Sequence, residues 1–317
     1  MIQSTCITHS LQQVEQYLED IFQQHELSLV KQITQHSLFR QGKRVRARLI
    51  LLTGELVEQA SEPHIILATI IELLHGATLL HDDVIDQSEI RRHHKTAHTI
   101  WGNKASILIG DLIYAEAFKL MSKLNNPGII QTLSQATSRI CIGEIHQLSQ
   151  RGNHHTSMAE YLSIIEAKTA ALFAAGTHCA AQISPLTDPK PLIDFGHHFG
   201  MAYQLTDDLL DLMPDNPQFD KNIGDDIRDG KVTGPVIELI EKANSDTVEQ
   251  IAYILDQPTQ DNIAMLQRLL ESDSSPRTRE LIQTHITCAV NALSPFPSSQ
   301  AKEILTELAL SLKNRLH

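Results

Sequence analysis

Two short stretches carry more negative charge than their surroundings should tolerate. "LLHDDVID" (79–86) places Asp82, Asp83 and Asp86 at the end of an apolar run that begins near Ile65. "YQLTDDLLDL" (203–212) places Asp207, Asp208 and Asp211 inside another, with the same DDxxD spacing. On a helix, residues i and i+4 share a face, so Asp82 points with Asp86 and Asp207 with Asp211, while Asp83 and Asp208 sit about 100° around. Like charges at that spacing repel, and a carboxylate among apolar neighbours needs a counter-charge. Either basic side chains or metal ions could supply it. Carboxylate oxygens are hard donors, and no cysteine or histidine pair stands at ligand spacing, which points to Mg2+ rather than zinc. Magnesium keeps several waters and completes its shell with substrate phosphates, so a diphosphate substrate is the natural third party.

Phosphates also need cations, and the 26 lysines and arginines are unevenly spread. "RQGKRVRAR" (40–48) gathers Arg40, Lys43, Arg44, Arg46 and Arg48, and "IRRHHK" (90–95) adds Arg91, Arg92 and Lys95 just past the first acidic cluster. Arginine forks grip phosphate oxygens bidentately and lysine supplies a point charge. The pairs His93-His94, His154-His155 and His197-His198 point in different directions on a helix and do not make a shared metal site. "ELLH" (72–75) has the Glu-x-x-His form of di-iron bundles, but such sites need two, and no second lies in a helical run.

The elements that must position these groups read as helices. Apolar residues recur every three or four positions, as in the stripe Leu11, Val14, Leu18, Ile21 and again in Leu162, Ile165, Leu172, Phe173. Strand signals are weak. Breaks fall at 125–128, 149–157, 184–191, 213–219, 272–276 and 294–299, and composition does not shift across any of them. The expectation is one all-α domain, residues 1–317, of ten or more helices. Net charge is −12, against nucleic acid as a partner. Four scattered cysteines without a CxxC pair, and an N-terminus without a basic-then-apolar leader, favour the cytoplasm. No uncharged apolar stretch reaches membrane-spanning length, so no transmembrane segment is expected.

With these residues assembled, the chain resembles the trans-type polyprenyl diphosphate synthase family, nearest in pattern to its long-chain, octaprenyl-forming branch. The likeness covers roughly residue 10 to the end. "GKRVRAR" resembles the family's GGKRxRP, "LLHDDVID" its first aspartate-rich motif and "RRHHKTAH" its RRGxPTxH. "KTAALF" (168–173), "GMAYQLTDDLLDL" (200–212) and "KNIGDDIRDGKVTGP" (221–235) follow in the family's order. Gln41 and Ala47 stand where the motif has a glycine and a proline, His93 where it has a glycine, and Gly234 where it has a leucine.

The resemblance implies a helical bundle around a deep central cavity, of the isoprenoid synthase type, usually a homodimer. It implies that Lys43, Arg46, His75 and Arg92 hold isopentenyl diphosphate. Arg91, Lys168, Thr169 and Gln204 match the allylic diphosphate contacts, farnesyl or a similar starter. Asp82, Asp86 and Asp207 match the principal Mg2+ ligands, with Asp83, Asp208 and Asp211 completing the clusters, and Lys221 and Lys231 match cations near the leaving group. Mg2+ is expected at about three ions per active site, with Mn2+ able to substitute.

That chemistry fits the residues. Metals and cations on a diphosphate make it a leaving group, and the allylic cation left behind must be kept from water, which accounts for carboxylates set in apolar helices. A terpene cyclase would share the acidic motifs but needs no second diphosphate site, and a non-catalytic subunit of a heteromeric synthase should lack an aspartate cluster. One turn before Asp82 stand Thr78 and Ala77, with Leu74 a further turn down. Short-product family members carry bulky rings at one or both of the first two positions. Each helical turn of about 5.4 Å admits about one isoprene unit, so small residues there predict a product of about C35 to C50. C40, as in a quinone side-chain precursor handed over at a membrane surface, is favoured by the resemblance.

Overall fold

Sixteen α-helices, one π-helical turn and one minimal hairpin account for the regular structure among the described residues of the computed structural model, which are 7–39, 42–91, 94–213, 224–273 and 275–315. The predicted breaks at 125–128, 149–157, 184–191, 272–276 and 294–299 all separate helices, and part of the one at 213–219 lies outside the described residues. The hairpin pairs β1 (Ile90–Arg91) with β2 (His94–Lys95), antiparallel, and was not legible from the strand signals. The chain resolves into two compact units: Met1–Thr137 with Leu172–Gly196 and Ala292–Leu308, and Ser138–Ala171 with His197–Asn291 and Ala309–His317.

The first unit is built on α4 (Glu62–Ile85), against which α1 (Thr8–Gln23), α3 (Val45–Val57), α5 (Ala97–Trp101) and α6 (Asn103–Lys123) pack, while α2 (Ser28–Ser37) lies against α1, α5 and α6. Proline in the first turn and the Ser61 N–H bonded to His64 Nδ1 at 3.2 Å start α4. Beyond that point Ile65, Leu67, Ile70, Ile71, Leu73 and Leu74 are all buried, so the helix is apolar nearly all round. It is long and apolar enough to cross a membrane, but 72% of its most apolar 18-residue window is buried inside the protein, which marks a core helix. The buried face of α1 is Val14, Leu18 and Phe22, with Leu11 and Ile21 only half-buried. Val14 and Leu18 of the predicted stripe thus lie on the buried face, which Phe22 rather than Ile21 continues.

The second unit contains α8 (Met158–Ile165), the carboxyl-terminal parts of α7 (Pro127–Ser149) and α10 (Lys190–Asp211), and the helices from α11 (Asp225–Arg228) through α12 (Gly234–Lys242), α13 (Ser245–Asp256) and α14 (Gln260–Asp273) to α15 (Pro276–Ala292). Ser157 caps α8 reciprocally: its hydroxyl accepts from Glu160 N–H at 3.2 Å, and Glu160 Oε2 accepts from Ser157 N–H at 2.8 Å. Helix α8 then passes through one π-helical turn, Glu166–Ala170, before α9 (Ala171–Ile183). The last helix is α16 (Gln300–Asn314).

Candidate active site

In the first unit, α4 ends on the first aspartate cluster. Asp86 is the residue after its last turn, its N–H bonded to the Asp82 carbonyl at 2.8 Å, so the two carboxylates leave the same end of the helix. Both side chains are half-buried, whereas Asp83 is buried. Burial pushes the Asp83 carboxyl up; Arg91, which donates from Nε to Asp83 Oδ1 at 2.7 Å, opposes that rise, and Asp82 adds to it. Arg91, in β1, thus reaches back to α4 eight residues after its partner. Arg91, expected as a phosphate contact, is thus also the counter-ion of the first cluster.

Lys43 is exposed just ahead of α3, and Arg46 lies in its first turn with its guanidinium 4.4 Å over the Phe173 ring. His75, on α4, is half-buried. The sequence did not reveal what holds this segment. Arg44, between the two predicted ligands, adopts φ 46°, ψ 42°, a left-handed backbone that costs a non-glycine residue about 1–2 kcal/mol. Its guanidinium forks onto Glu15 (Nε–Oε1 2.7 Å, Nη2–Oε2 2.9 Å) and also donates to Glu72 Oε2 at 3.1 Å and the Leu38 carbonyl at 2.7 Å. Ala77 and Leu74 are buried; Thr78 is half-buried, its hydroxyl donating to the His75 carbonyl at 2.8 Å.

In the second unit, four predicted residues share one stretch of hydrogen bonds and a short helical turn. Thr169 donates to Gln204 Oε1 at 2.7 Å, and Gln204 Nε2 donates to Asp208 Oδ1 at 2.6 Å. Asp208 Oδ2 accepts from the Tyr161 hydroxyl at 2.6 Å. Next to Thr169, Lys168 reaches Glu144 Oε2 at 2.8 Å and Gln147 Oε1 at 2.9 Å. That reach depends on Gly143, where a Cβ would stand 2.9 Å from Ala167 Cβ and 3.1 Å from the Lys168 nitrogen. The π-turn places Lys168 and Thr169 in this arrangement, a common feature of functional sites.

Asp208 is buried, and its carboxyl is pushed up to about 7 by burial first and then by Asp226, with Asp207 adding and the Tyr161 and Gln204 hydrogen bonds opposing. Asp211, also buried, accepts from the Asp226 N–H at 3.2 Å. Lys231 binds Asp229 at 2.8 Å and lies 3.8 Å from Asp226, so this predicted cation stands at the acidic edge of the second cluster. Asp207 accepts from Arg315 Nη2 at 2.8 Å; that guanidinium also lies 5.5 Å over the Tyr203 ring. The departure at Gly234 has a local reason: a Cβ there would come within 2.9 Å of the Tyr161 ring. Arg92 and Lys221, and the departures Gln41 and His93, lie outside the described residues.

The donor set suits a hard divalent cation. All six carboxylates are oxygen donors, and Asp208 is held toward its neutral form by burial and, after it, by the neighbouring negative charge of Asp226 and Asp207, which a cation would offset. Among the described residues, no three histidine, cysteine, aspartate or glutamate side chains form a self-sufficient metal cage. An ion held by one or two carboxylates, with water and phosphate completing its shell, is Mg2+ chemistry.

An all-α chain whose two DDxxD helices are each met by basic side chains is of the isoprenoid synthase type. The polyprenyl synthetase model matches residues 27–272, and the chain belongs to that family; it is an enzyme, a polyprenyl diphosphate synthase and hence a prenyltransferase. It is 33% identical over 288 residues to octaprenyl diphosphate synthase of Escherichia coli strain K12, covering 90% of this chain and 89% of that one. It is 38% identical over 223 residues to all-trans-nonaprenyl-diphosphate synthase (geranyl-diphosphate specific) of Rhodobacter capsulatus, covering 70% of this chain and 69% of that one. The structure of a polyprenyl synthase from Caulobacter crescentus CB15, complexed with calcium and isoprenyl diphosphate, superposes with a TM-score of 0.93 at 32% identity, covering 98% of this chain and 96% of that one.

Proposed function

We propose that the chain condenses isopentenyl diphosphate with an allylic diphosphate, farnesyl or similar, in a Mg2+-dependent reaction that yields a long all-trans polyprenyl diphosphate of octaprenyl length. The observation that carries this reading is the pair of DDxxD helices, each with a cation already on one carboxylate: Arg91 on Asp83 and Arg315 on Asp207. Binding of calcium and isoprenyl diphosphate by the Caulobacter relative supports it. So does the likeness to the octaprenyl synthase, although a nonaprenyl relative shows that length varies within the family.

In this reading Asp82, Asp86 and Asp207 hold the metal, with Asp83, Asp208 and Asp211 around them. When bound, Mg2+ neutralises the charge that develops on the leaving diphosphate. Lys168, Arg91, Thr169, Gln204 and Lys231 orient the allylic diphosphate so that its C–O bond can break. Lys43, Arg46, His75 and Arg92 hold isopentenyl diphosphate with its double bond toward the allylic carbon. The apolar faces below keep water from the cation until the new C–C bond forms and a proton leaves, to the departed diphosphate. Ala77, Thr78 and Leu74 form the wall past which the product grows.

The same reading takes residues 1–317 as a single synthase domain built from both units, placed in the cytoplasm and working as a homodimer. The free thiols Cys141, Cys179 and Cys288 and the exposed Leu108 and Phe118 of α6 support those last two points. The product serves as a quinone side-chain precursor handed over at a membrane surface. The purified chain, given isopentenyl and farnesyl diphosphates with and without Mg2+, tests this: metal-dependent formation of a product near C40 is expected. A single-substrate cyclic product, or none without a second protein, would overturn it.

A further inference from the structure

We infer that Glu72, acting with Arg44 and Glu15, is the positioning residue of the isopentenyl diphosphate subsite; the inference rests on the assignment of Lys43, Arg46 and His75 to that substrate. Helix α3 has no side-chain cap of its own. Glu72 of α4 supplies one from a neighbouring helix: its Oε1 accepts the Ala47 N–H at 3.1 Å, a first-turn donor that would otherwise lack a helical partner. A carboxylate at that end of α3 also complements the helix dipole. Proline, which the family motif has at this position, carries no N–H and could not make the bond.

The other oxygen of Glu72 accepts from Arg44, whose remaining arms are taken by Glu15 and the Leu38 carbonyl. Arg44 is thus spent on protein contacts while it holds the left-handed backbone that sets Lys43 on one side and Arg46 on the other. His75 lies three residues beyond Glu72 on α4, one turn along the same face. One buried carboxylate, 6% exposed, therefore ties the start of α3 to the turn of α4 that carries the third phosphate-binding residue. A glutamate in the middle of an apolar core helix is explained by this role, since each of its oxygens has a partner.

The test compares Glu72→Gln, Glu15→Gln and Lys43→Ala in steady-state assays with each substrate varied in turn, alongside thermal melts. A glutamine at 72 can accept from only one of its two donors, so KM for isopentenyl diphosphate should rise about tenfold, with kcat and the allylic KM within about threefold. The Glu15 side chain is 44% exposed, and its variant keeps the core intact if Glu72→Gln does not fold. Glu15→Gln should show the same bias at about threefold. If Lys43→Ala raises that KM selectively while the glutamate variants change kcat, both KM values equally, or nothing, the positioning role is overturned. If Lys43→Ala itself shows no bias, the underlying subsite assignment fails instead.

Discussion

Replacing Tyr161 with phenylalanine removes a single oxygen from the second aspartate cluster, and its effect should depend on pH. The Tyr161 hydroxyl donates to buried Asp208 at 2.6 Å, and together with Gln204 it is what opposes the rise of that carboxyl from 3.8 to about 7. Because the folded-state value is raised, the stability contributed by Asp208 is fully present below about pH 4 and is lost as pH rises through 7. A rise of that size corresponds to roughly 4 kcal/mol, an upper figure. A hydrogen bond to the ionised form stabilises by about 1.5–3 kcal/mol, and one to the neutral form by about 0.5–1.5 kcal/mol. Tyr161→Phe should therefore push the Asp208 carboxyl higher still, by about 1–2 kcal/mol in favour of its neutral form. In metal-free thermal melts, the variant should lose roughly 3–6 °C at pH 9 but only about 1–3 °C at pH 5.5, at about 2 °C per kcal/mol for a chain of this size. Adding Mg2+ should stabilise both proteins more at pH 9 than at pH 5.5. Equal losses at the two pH values would refute the reasoning, because a packing defect does not titrate.

Asp82→Ala and Asp207→Ala should each lower kcat by several orders of magnitude with saturating substrate and Mg2+, and near-normal turnover in either would remove it from the ligand set. Lys168→Ala should raise KM for the allylic substrate about ten- to a hundredfold with little change for isopentenyl diphosphate, measured by varying each substrate separately. Ala77→Phe should shorten the main product to about C15–C20 without abolishing condensation, on the measure of one isoprene unit per helical turn. Reversed-phase chromatography of the dephosphorylated products reads this directly. An unchanged product length would show that the chain does not grow past this face of α4.

The helices and both aspartate clusters were legible because they follow from local rules: a 3.6-residue period, and carboxylates where none should lie unpaired. The partners of those charges were not, because they come from far along the chain. Arg315 stands 108 residues from Asp207, and Glu15 29 residues from Arg44. Glu72 carries the same signal as the aspartates, an acid inside an apolar run, but its spacing from His75 draws attention to a Glu-x-x-His metal motif instead. Glu144, Gln147 and Tyr161 look like ordinary helix residues. No periodicity announces the π-turn, whose one extra residue is absorbed without breaking the apolar pattern. The paired strands Ile90–Arg91 and His94–Lys95 are too short for alternation to register.

That π-turn also has a consequence for how the chain tolerates insertion and deletion. A π-turn is an α-helix with one residue too many, and its wider i→i+5 turn takes up the about 100° of rotation that residue would otherwise add. Deleting Ala167 should let the Glu166–Ala170 segment relax into regular α-helix, with its backbone bonding intact and its stability little changed. The chain beyond the turn would keep its register, because the extra residue is already absorbed there, while the side chains inside the turn would shift to α-helical positions. Thr169 would leave Gln204, and Lys168 would leave Glu144. A sound fold with a silent site is the expected phenotype, and lengthening the helix elsewhere by one residue would not repair it, since that would not rebuild the widened turn.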